Sequence, residues 1–403
     1  MSRLDELIQE LCPNGVEYKK LGEIATITRG GNFQKKDFTN SGVPAIHYGQ
    51  IYTRYGLFPE TTFVFITPEK AKKQKMAVPG DIVMAVTSEN IEDVCSCVAW
   101  LGSESVAVSG HTAIIHHDQN SKFLAYYFHS SMFASQKRKL VHGTKVMEVT
   151  PDHLNAIKIP VPPLPVQEEV VRILDTFTEL TTELTTELTT ELTVRKKQYE
   201  YYRNELFKSD LRESKIDRVS LMDIAENCDK ERKPITSSKR VSGKYPYYGA
   251  SGIVDYVEDF IFDGDYLLIS EDGANLTARV TPIAFSISGK NWVNNHAHVL
   301  RFSDLITQRF VEHYLNAISL EPWITGGAQP KLNQKNLNSI EIPLPDIETQ
   351  KKTVKILDGL FEIHSSLENG LPAEISARQK QYEYYRDKLL DFKELKPEGD
   401  DTN

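Results

Sequence analysis

Leucine stands at every fourth position from Leu180 through Leu184 and Leu188 to Leu192, inside the run TELTTELTTELTTELT at residues 178–193. Four residues turn a helix by roughly 400°, so the apolar stripe drifts about 40° per unit and needs a partner helix to cover it. The surrounding stretch, 166–208, contains neither Gly nor Pro. It predicts one long helix. Threonine is a mediocre helix former, so packing rather than propensity has to hold this segment. A low-complexity linker is the competing reading of a four-residue repeat. The leucine beat and the absence of breakers point instead to a spacer rod.

Elsewhere the pattern is mixed. Residues 1–15 read as a short amphipathic helix stopped by Pro13-Asn14-Gly15. A globular region then begins at Leu21-Gly-Glu-Ile-Ala25, with strands predicted at 61–66, 81–86 and 94–100 and a helix at 123–140. The proline-rich entry Ile159-Pro-Val-Pro-Pro-Leu-Pro165 cannot continue a helix and delivers the chain stiffly to the rod. A second globular region starts at Leu221-Met-Asp-Ile-Ala225, which echoes the start of the first, with strands predicted at 266–270, 279–286 and 298–302 and a helix at 307–317. Together these predict an α/β (α+β) protein.

The rod is written twice. Gln167, the triplet Ile173-Leu-Asp175, Arg195 and Lys197-Gln-Tyr-Glu-Tyr-Tyr-Arg203 reappear as Gln350, Ile356-Leu-Asp358, Arg378 and Lys380-Gln-Tyr-Glu-Tyr-Tyr-Arg386, at a constant offset of 183. The gapless match covers about 49 residues with roughly 21 identities and marks an internal repeat. In the second rod Ile363, Leu367, Leu371 and Ile375 keep the four-residue beat, while Gly370 and Pro372 predict a bend or break. The order is head, rod, head, rod, with expected bounds 1–15 for the first helix, 16–158 and 216–341 for the heads, 159–215 and 342–395 for the rods, and a disordered tail at 396–403. A circular echo between the end of the second rod and the first residues predicts that the two chain ends lie close together.

Composition narrows the function classes. A formal net charge of -9 argues against indiscriminate nucleic-acid binding, while leaving room for local basic patches. The four cysteines form no CxxC pair, so neither a disulfide framework nor a zinc knuckle is suggested; Cys95 and Cys97 fit one buried strand face. With no apolar run of about 20 residues and no signal-peptide pattern, a cytoplasmic protein is expected.

Two similar heads on duplicated rods suit a binder of two half-sites. Candidate phosphate contacts are Lys35, Lys36, Lys70, Lys72, Lys73, Lys75, Lys137 and Arg138 in the first head, with Lys233, Lys239, Arg240, Lys244 and Lys331 in the second. Each cluster is also readable as a solvated face, but tyrosines interleave in both heads. Glycine-marked loops at matching positions add Thr144, Lys145 and Gln329, with a plain tight turn as the alternative. Catalytic signatures are missing: there is no Walker loop, GxGxxG after a strand, HExxH or GxSxG. Asp263, Asp265, Glu271 and Asp272 could imitate a metal site, but nearby turn glycines explain acidic loop residues without a metal; His116-His117 and His296-Ala-His298 lack a third ligand at readable spacing, which favours ordinary surface or core histidines.

On the Ile-Pro-x-Pro entries followed by Gln167 or Gln350, the Ile-Leu-Asp triplets, the Lys-Gln-Tyr-Glu-Tyr-Tyr-Arg ends and TELT in place of TAEL, the chain resembles the specificity subunits of type I restriction-modification enzymes, particularly the subgroup with TAEL-like repeats. The resemblance implies two target-recognition domains, each reading part of a split DNA site, joined by two long antiparallel helices in an internal pseudo-two-fold repeat. It implies a non-catalytic chain with no cofactor of its own. It further implies two methylation subunits that bring S-adenosylmethionine, and translocase-nuclease (restriction) subunits that use ATP and Mg²⁺. Tyr199, Tyr201, Tyr202, Tyr382, Tyr384 and Tyr385 would then serve for subunit docking or for packing within the chain. A two-headed scaffold for a ligand other than nucleic acid is the alternative.

Overall fold

In the computed structural model, which describes residues 2–213, 216–327 and 329–395, with the side chains of 208–213, 364 and 367–369 also outside the description, the rods are two long helices. The first spans Leu164–Glu213 and the second Ile347–Leu390. Threonines in the repeat satisfy their hydroxyls locally: Thr186 and Thr193 donate to the carbonyls four residues back at 2.8 and 2.9 Å. That bonding lets a β-branched polar residue sit in a helix without a buried orphan. Leu184, Leu188 and Leu192 are half-buried, whereas Leu180 is exposed, as a stripe that drifts around the helix requires. The second rod is not broken: it is helical through Gly370 and Pro372, because one missing N–H removes a single ladder bond from a long helix. The side chain of Leu367 and the expected tail at 396–403 lie outside the description.

The chain divides into two compact units, 1–187 with 374–403 and 188–373. Each unit therefore holds one head, the proximal part of one rod and the distal part of the other. In the first unit a four-stranded antiparallel sheet runs in the order Ala25–Arg29, Thr112–His117, Ile82–Ala85, Cys97–Ala99. A second sheet is ordered Val64–Ile66, Val43–Ile46, Val106–Val108, Lys75–Ala77, with its central pair parallel. The second unit repeats both plans. Its first sheet runs Ala225–Asn227, Ala297–Phe302, Tyr266–Ser270, Ala284–Ile287, and its second runs Gly252–Val257, Ser242–Gly249, Lys290–Val293, Phe262–Asp263, again with a parallel central pair. The heads share a topology although their sequences scarcely match.

Several boundaries differ from the sequence expectation. The helix predicted at 123–140 is two helices, Ser121–Phe128 and Ser131–Lys137, because Ser130 caps the second by accepting from Phe133 N–H. Cys95 is not on the strand with Cys97; it has a φ of 69° just before it, although both thiols are buried and free. The strand predicted at 279–286 is only Ala284–Ile287, preceded by Arg279 in the left-handed region. No helix among the described residues is long and apolar enough to cross a membrane.

Each proline entry forms a short strand. Lys158–Pro160 pairs with Tyr18–Lys20, and Glu341–Pro343 with Arg218–Ser220. The rod then plugs directly into the head core: Val171, Leu174 and Leu390 are buried in the first unit, and their repeat counterparts Val354, Leu357 and Phe207 in the second. In the first unit the start of the first head meets the segment after the second rod, with Val16 N–H donating to Lys393 O at 2.8 Å and Leu395 N–H to Val16 O at 2.9 Å. Gly15, at a φ of 123°, permits this approach; a side chain there would strike the Lys393 carbonyl.

Candidate nucleic-acid interface

The residues that repeat most faithfully build the joint between head and rod. Asp175 accepts from Lys122 Nζ at 2.7 Å and from the Tyr126 hydroxyl at 2.8 Å, two residues one turn apart on the head helix. Asp358 accepts in the same way from Arg309 at 2.5 Å and from His313 at 2.8 Å. Gln167 ties its amide to Pro162 O at 2.8 Å, and Gln350 to Pro345 O at 2.7 Å. The motif glutamines and aspartates thus fix each head on its rod. Burial pushes the Asp358 carboxyl up, but His313 and Arg309 outweigh it and hold it below the ordinary carboxylate range.

With the heads anchored, each candidate contact residue has a definite place. Lys35 and Lys36 are exposed on the turn Lys35–Asp37, at the rim of a cavity of about 350 Å³ that also has His47, Tyr48 and His111 in its wall. His47 Nδ1 accepts from Gly49 N–H at 3.2 Å, while burial, then Lys35 and His111, lower its pKa. The ring is therefore neutral at pH 7, with its proton on Nε2. Lys72, Lys73 and Lys75 are exposed; Lys70 is paired with Asp37 at 3.2 Å. Thr144 and Lys145 are exposed on a hairpin closed by His142 and Glu148. In the second head the corresponding hairpin is closed by Thr325 and Lys331 and carries exposed Gln329, with Ala328 outside the described residues. Gly143 and Gly326 occupy the same repeat position, each at positive φ with a neighbouring carbonyl too close for a side chain. The loops are thus tight turns that also present polar tips.

Lys233, Lys239 and Lys244 are exposed in the second head, Lys244 lying 5.2 Å from the centre of the Tyr245 ring. Arg240 is committed internally, donating to Asp255 at 3.2 Å and Ile235 O at 3.1 Å over the Tyr247 ring. Lys331 is half-exposed and pairs with Glu271 at 3.1 Å. Arg138 is exposed and 3.9 Å from Glu92. Lys137 is a correction. It is only 7% exposed and its Nζ donates to the Glu92 and Val94 carbonyls at 2.6 Å each, so it holds a loop instead of facing a ligand.

The acidic and histidine pairs also resolve. Asp229 and Glu271 converge on His298, which is 1% exposed, but Arg232 lies between the carboxylates, 2.7 Å from Glu271 and 3.3 Å from Asp229. Both His298 ring nitrogens already face oxygens, Asp229 at 2.6 Å and Leu332 O at 2.7 Å. A guanidinium fills the place a cation would take, so the donor set is an ion-pair network. Sequence reasoning singled out Glu271 and His298 without their partner Asp229, and missed the head–rod joint and the His47 cavity. Only the joint left a signal, in the repeated Ile-Leu-Asp triplets.

A family model described as the type I restriction modification DNA specificity domain matches residues 13–194 and 213–377. The chain belongs to that family. It is 28% identical over 421 residues to the EcoR124I/EcoR124II specificity subunit of Escherichia coli, covering 97% of each chain. It is 41% identical over 186 residues to a type I restriction enzyme specificity subunit of Haemophilus influenzae, where the match spans 45% of this chain and 48% of that one. Among solved structures, a chain from a study of type I system assembly and conformational transition superposes with a TM-score of 0.67 at 18% identity, covering 94% of this chain and 98% of that one. The HsdS subunit of Thermoanaerobacter tengcongensis gives 0.55 at 17% identity, covering 94% and 97%. The matched family is described as a DNA specificity domain, which selects the nucleic-acid reading over a two-headed scaffold. As a specificity subunit the chain is non-catalytic.

Proposed function

We propose that this chain addresses a type I restriction-modification complex to a split DNA site, its heads at 16–158 and 216–341 acting as two target-recognition domains. One observation carries the reading most directly: two heads of identical sheet order, divergent in sequence, are mounted on their rods through the same Asp and Gln joints. Constant mounts with variable faces are what a reader of two unlike half-sites requires. Lys72, Lys73 and Lys75, with Lys35, Lys36, Lys239 and Lys244, supply phosphate contacts that set register without choosing sequence. The polar hairpin tips and the His47 cavity are the candidates for base contact.

The partners in this reading are double-stranded DNA, two methylation subunits carrying S-adenosylmethionine, and ATP- and Mg²⁺-dependent restriction subunits, all in the cytoplasm. Tyr201 and Tyr384 are 61% and 62% exposed, and each stacks edge-on with the tyrosine that follows it. Such exposed aromatic pairs suit docking of the methylation subunits. Tyr199 and Tyr382 instead pack within the chain, against Phe361 and Thr178. The test is to assemble the chain with its methylation subunits and map methylated adenines across a random duplex library. A two-part motif that changes in one half when one head is exchanged supports the reading; methylation without sequence preference defeats it.

A further inference from the structure

The second unit contains a cavity of about 650 Å³ between rod residues 196–203, the strap 276–286 and the end of the helix Leu305–Ala317. Its wall combines apolar groups, including Val280, Phe285 and Phe361, with the guanidinium groups of Arg203, Arg279 and Arg309 and the carboxylates of Glu200, Glu312 and Glu321. Arg309 is spent on Glu312 at 2.7 Å and Asp358 at 2.5 Å. The other two each leave a nitrogen over. Arg203 Nε and Arg279 Nη2 are buried without a hydrogen-bond partner among the described residues. Each buried donor left unpaired is costly. Arg279 also holds a left-handed backbone, φ 49°, and only its Nη1 reaches carbonyls, those of Leu315 and Asn316 at 3.5 and 3.3 Å.

The first unit shows how the same machinery looks when it is closed. Arg386 is the repeat counterpart of Arg203, and each lies over its repeat tyrosine, 6.0 Å from the Tyr382 ring centre and 5.5 Å from Tyr199. Arg386 closes its fork on Asp387 at 3.0 and 2.8 Å. Position 204 is asparagine, so Arg203 has no carboxylate at that place. The joint lysine of the first unit, Lys122, is covered by Phe58 at 4.8 Å, and Phe58 packs on Tyr126 at 5.1 Å. Beside Arg309 and His313, the corresponding pair of the second unit, there is open cavity.

We propose that this cavity binds a small organic oxyanion, a phosphate or carboxylate on an apolar or aromatic body, with Arg203 and Arg279 taking the oxygens and the Val280, Phe285 and Phe361 side taking the body. Guanidinium forks match planar and tetrahedral oxyanions, and the volume lies in the range of small-molecule sites, about 300–1,000 Å³. Since the walls come from rod and head together, an occupant fastens this head to its rod. None of the exposed lysines proposed to contact DNA lines this cavity.

The full-length chain is titrated with phenyl phosphate, adenosine 5′-monophosphate and benzoate, with sulfate at equal ionic strength as the reference. At least one organic oxyanion raises the melting temperature by about 2–4 °C beyond sulfate, and the phosphate and carboxylate arms show which head group is preferred. Asn204→Asp supplies the carboxylate that Asp387 provides in the first unit; it raises the melting temperature of the free protein and weakens probe binding about tenfold or more. Arg203→Gln weakens binding equally while circular dichroism shows a folded chain. The proposal is overturned if no probe exceeds sulfate, or if both variants bind as tightly as the parent.

Discussion

Thr178 and Tyr382 meet hydroxyl to hydroxyl at 3.0 Å, and their repeat counterparts in the second unit, Phe361 and Tyr199, meet as rings 6.3 Å apart. The same tyrosine thus finds a polar neighbour on one rod pair and an apolar one on the other. Close by, Phe177 stacks on Tyr385, with centroids 6.0 Å apart. The rising number on one helix meets the falling number on its neighbour, which is the antiparallel pairing. Duplication kept the geometry of the joint and let its chemistry diverge.

That divergence predicts unequal costs for equal mutations. Asp358→Ala leaves Arg309 and the buried ring of His313 short of an acceptor and destabilises the second unit by about 2 kcal/mol. Asp175→Ala removes a half-exposed lysine pair and one tyrosine bond, costing about 1 kcal/mol in the first. Urea unfolding followed by hydrogen exchange in each unit checks the order; an equal loss would show that the joints are energetically interchangeable.

Two sets of lysines separate address from architecture. Changing Lys72, Lys73 and Lys75 to Ala lowers affinity alike on cognate and random duplexes, and reduces the slope of log K against log salt by about 0.9 for each phosphate no longer neutralised. Lys137→Ala instead strips two carbonyls of their donor and lowers stability by about 2–3 kcal/mol, with the salt slope of the folded fraction unchanged. Salt titrations of the assembled complex, paired with melting curves, distinguish the two.

Acid acts on the ion-pair network of the second unit. Burial pushes Asp229 and Glu271 up from their ordinary 3.8 and 4.5, but the His298 bond to Asp229 and the Arg232 bond to Glu271 outweigh it, so both sit lower when folded. A carboxyl lowered by folding stabilises fully above its unfolded value and ceases to do so as pH falls through its folded value. Stability of this unit is therefore flat with respect to these groups above about pH 5 and declines below about pH 4.5. Asp229→Asn lowers stability at neutral pH and makes the acid decline shallower; an unchanged acid slope would place the effect elsewhere.

The TELT run predicts a ruler. Deleting residues 186–189 removes about 6 Å of rise and about 40° beyond a full turn, the latter close to the roughly 35° of one base-pair step. A head presented at the wrong angle misses its groove, so rotation decides and the preferred spacer shortens by about one base pair. The stripe of half-buried leucines stays continuous across the deletion. Methylation across a spacer library reads the result; an unaltered spacer with both half-sites still read would show that the rod does not set it.

What the sequence determined by itself was everything written in local periodicity or in repetition. The leucine beat and the lack of breakers specified the first rod, the offset of 183 specified the second, and Tyr266–Ser270 was legible as a strand because it is a short apolar run. The repeated Asp175 and Asp358 were visible as a motif, but not as a joint, since their partners lie on helices about fifty residues away. Tertiary structure alone decided which cations are free. Lys137 and Lys139 stand in one basic cluster, yet only the first is buried, because the end of its helix packs on the loop at Glu92 and Val94. Arg203 and Arg386 share a motif letter for letter, and differ because the next residue is Asn204 in one and Asp387 in the other. A charge is free or spent according to the groups that fold against it, and those groups come together over distances that no local pattern records.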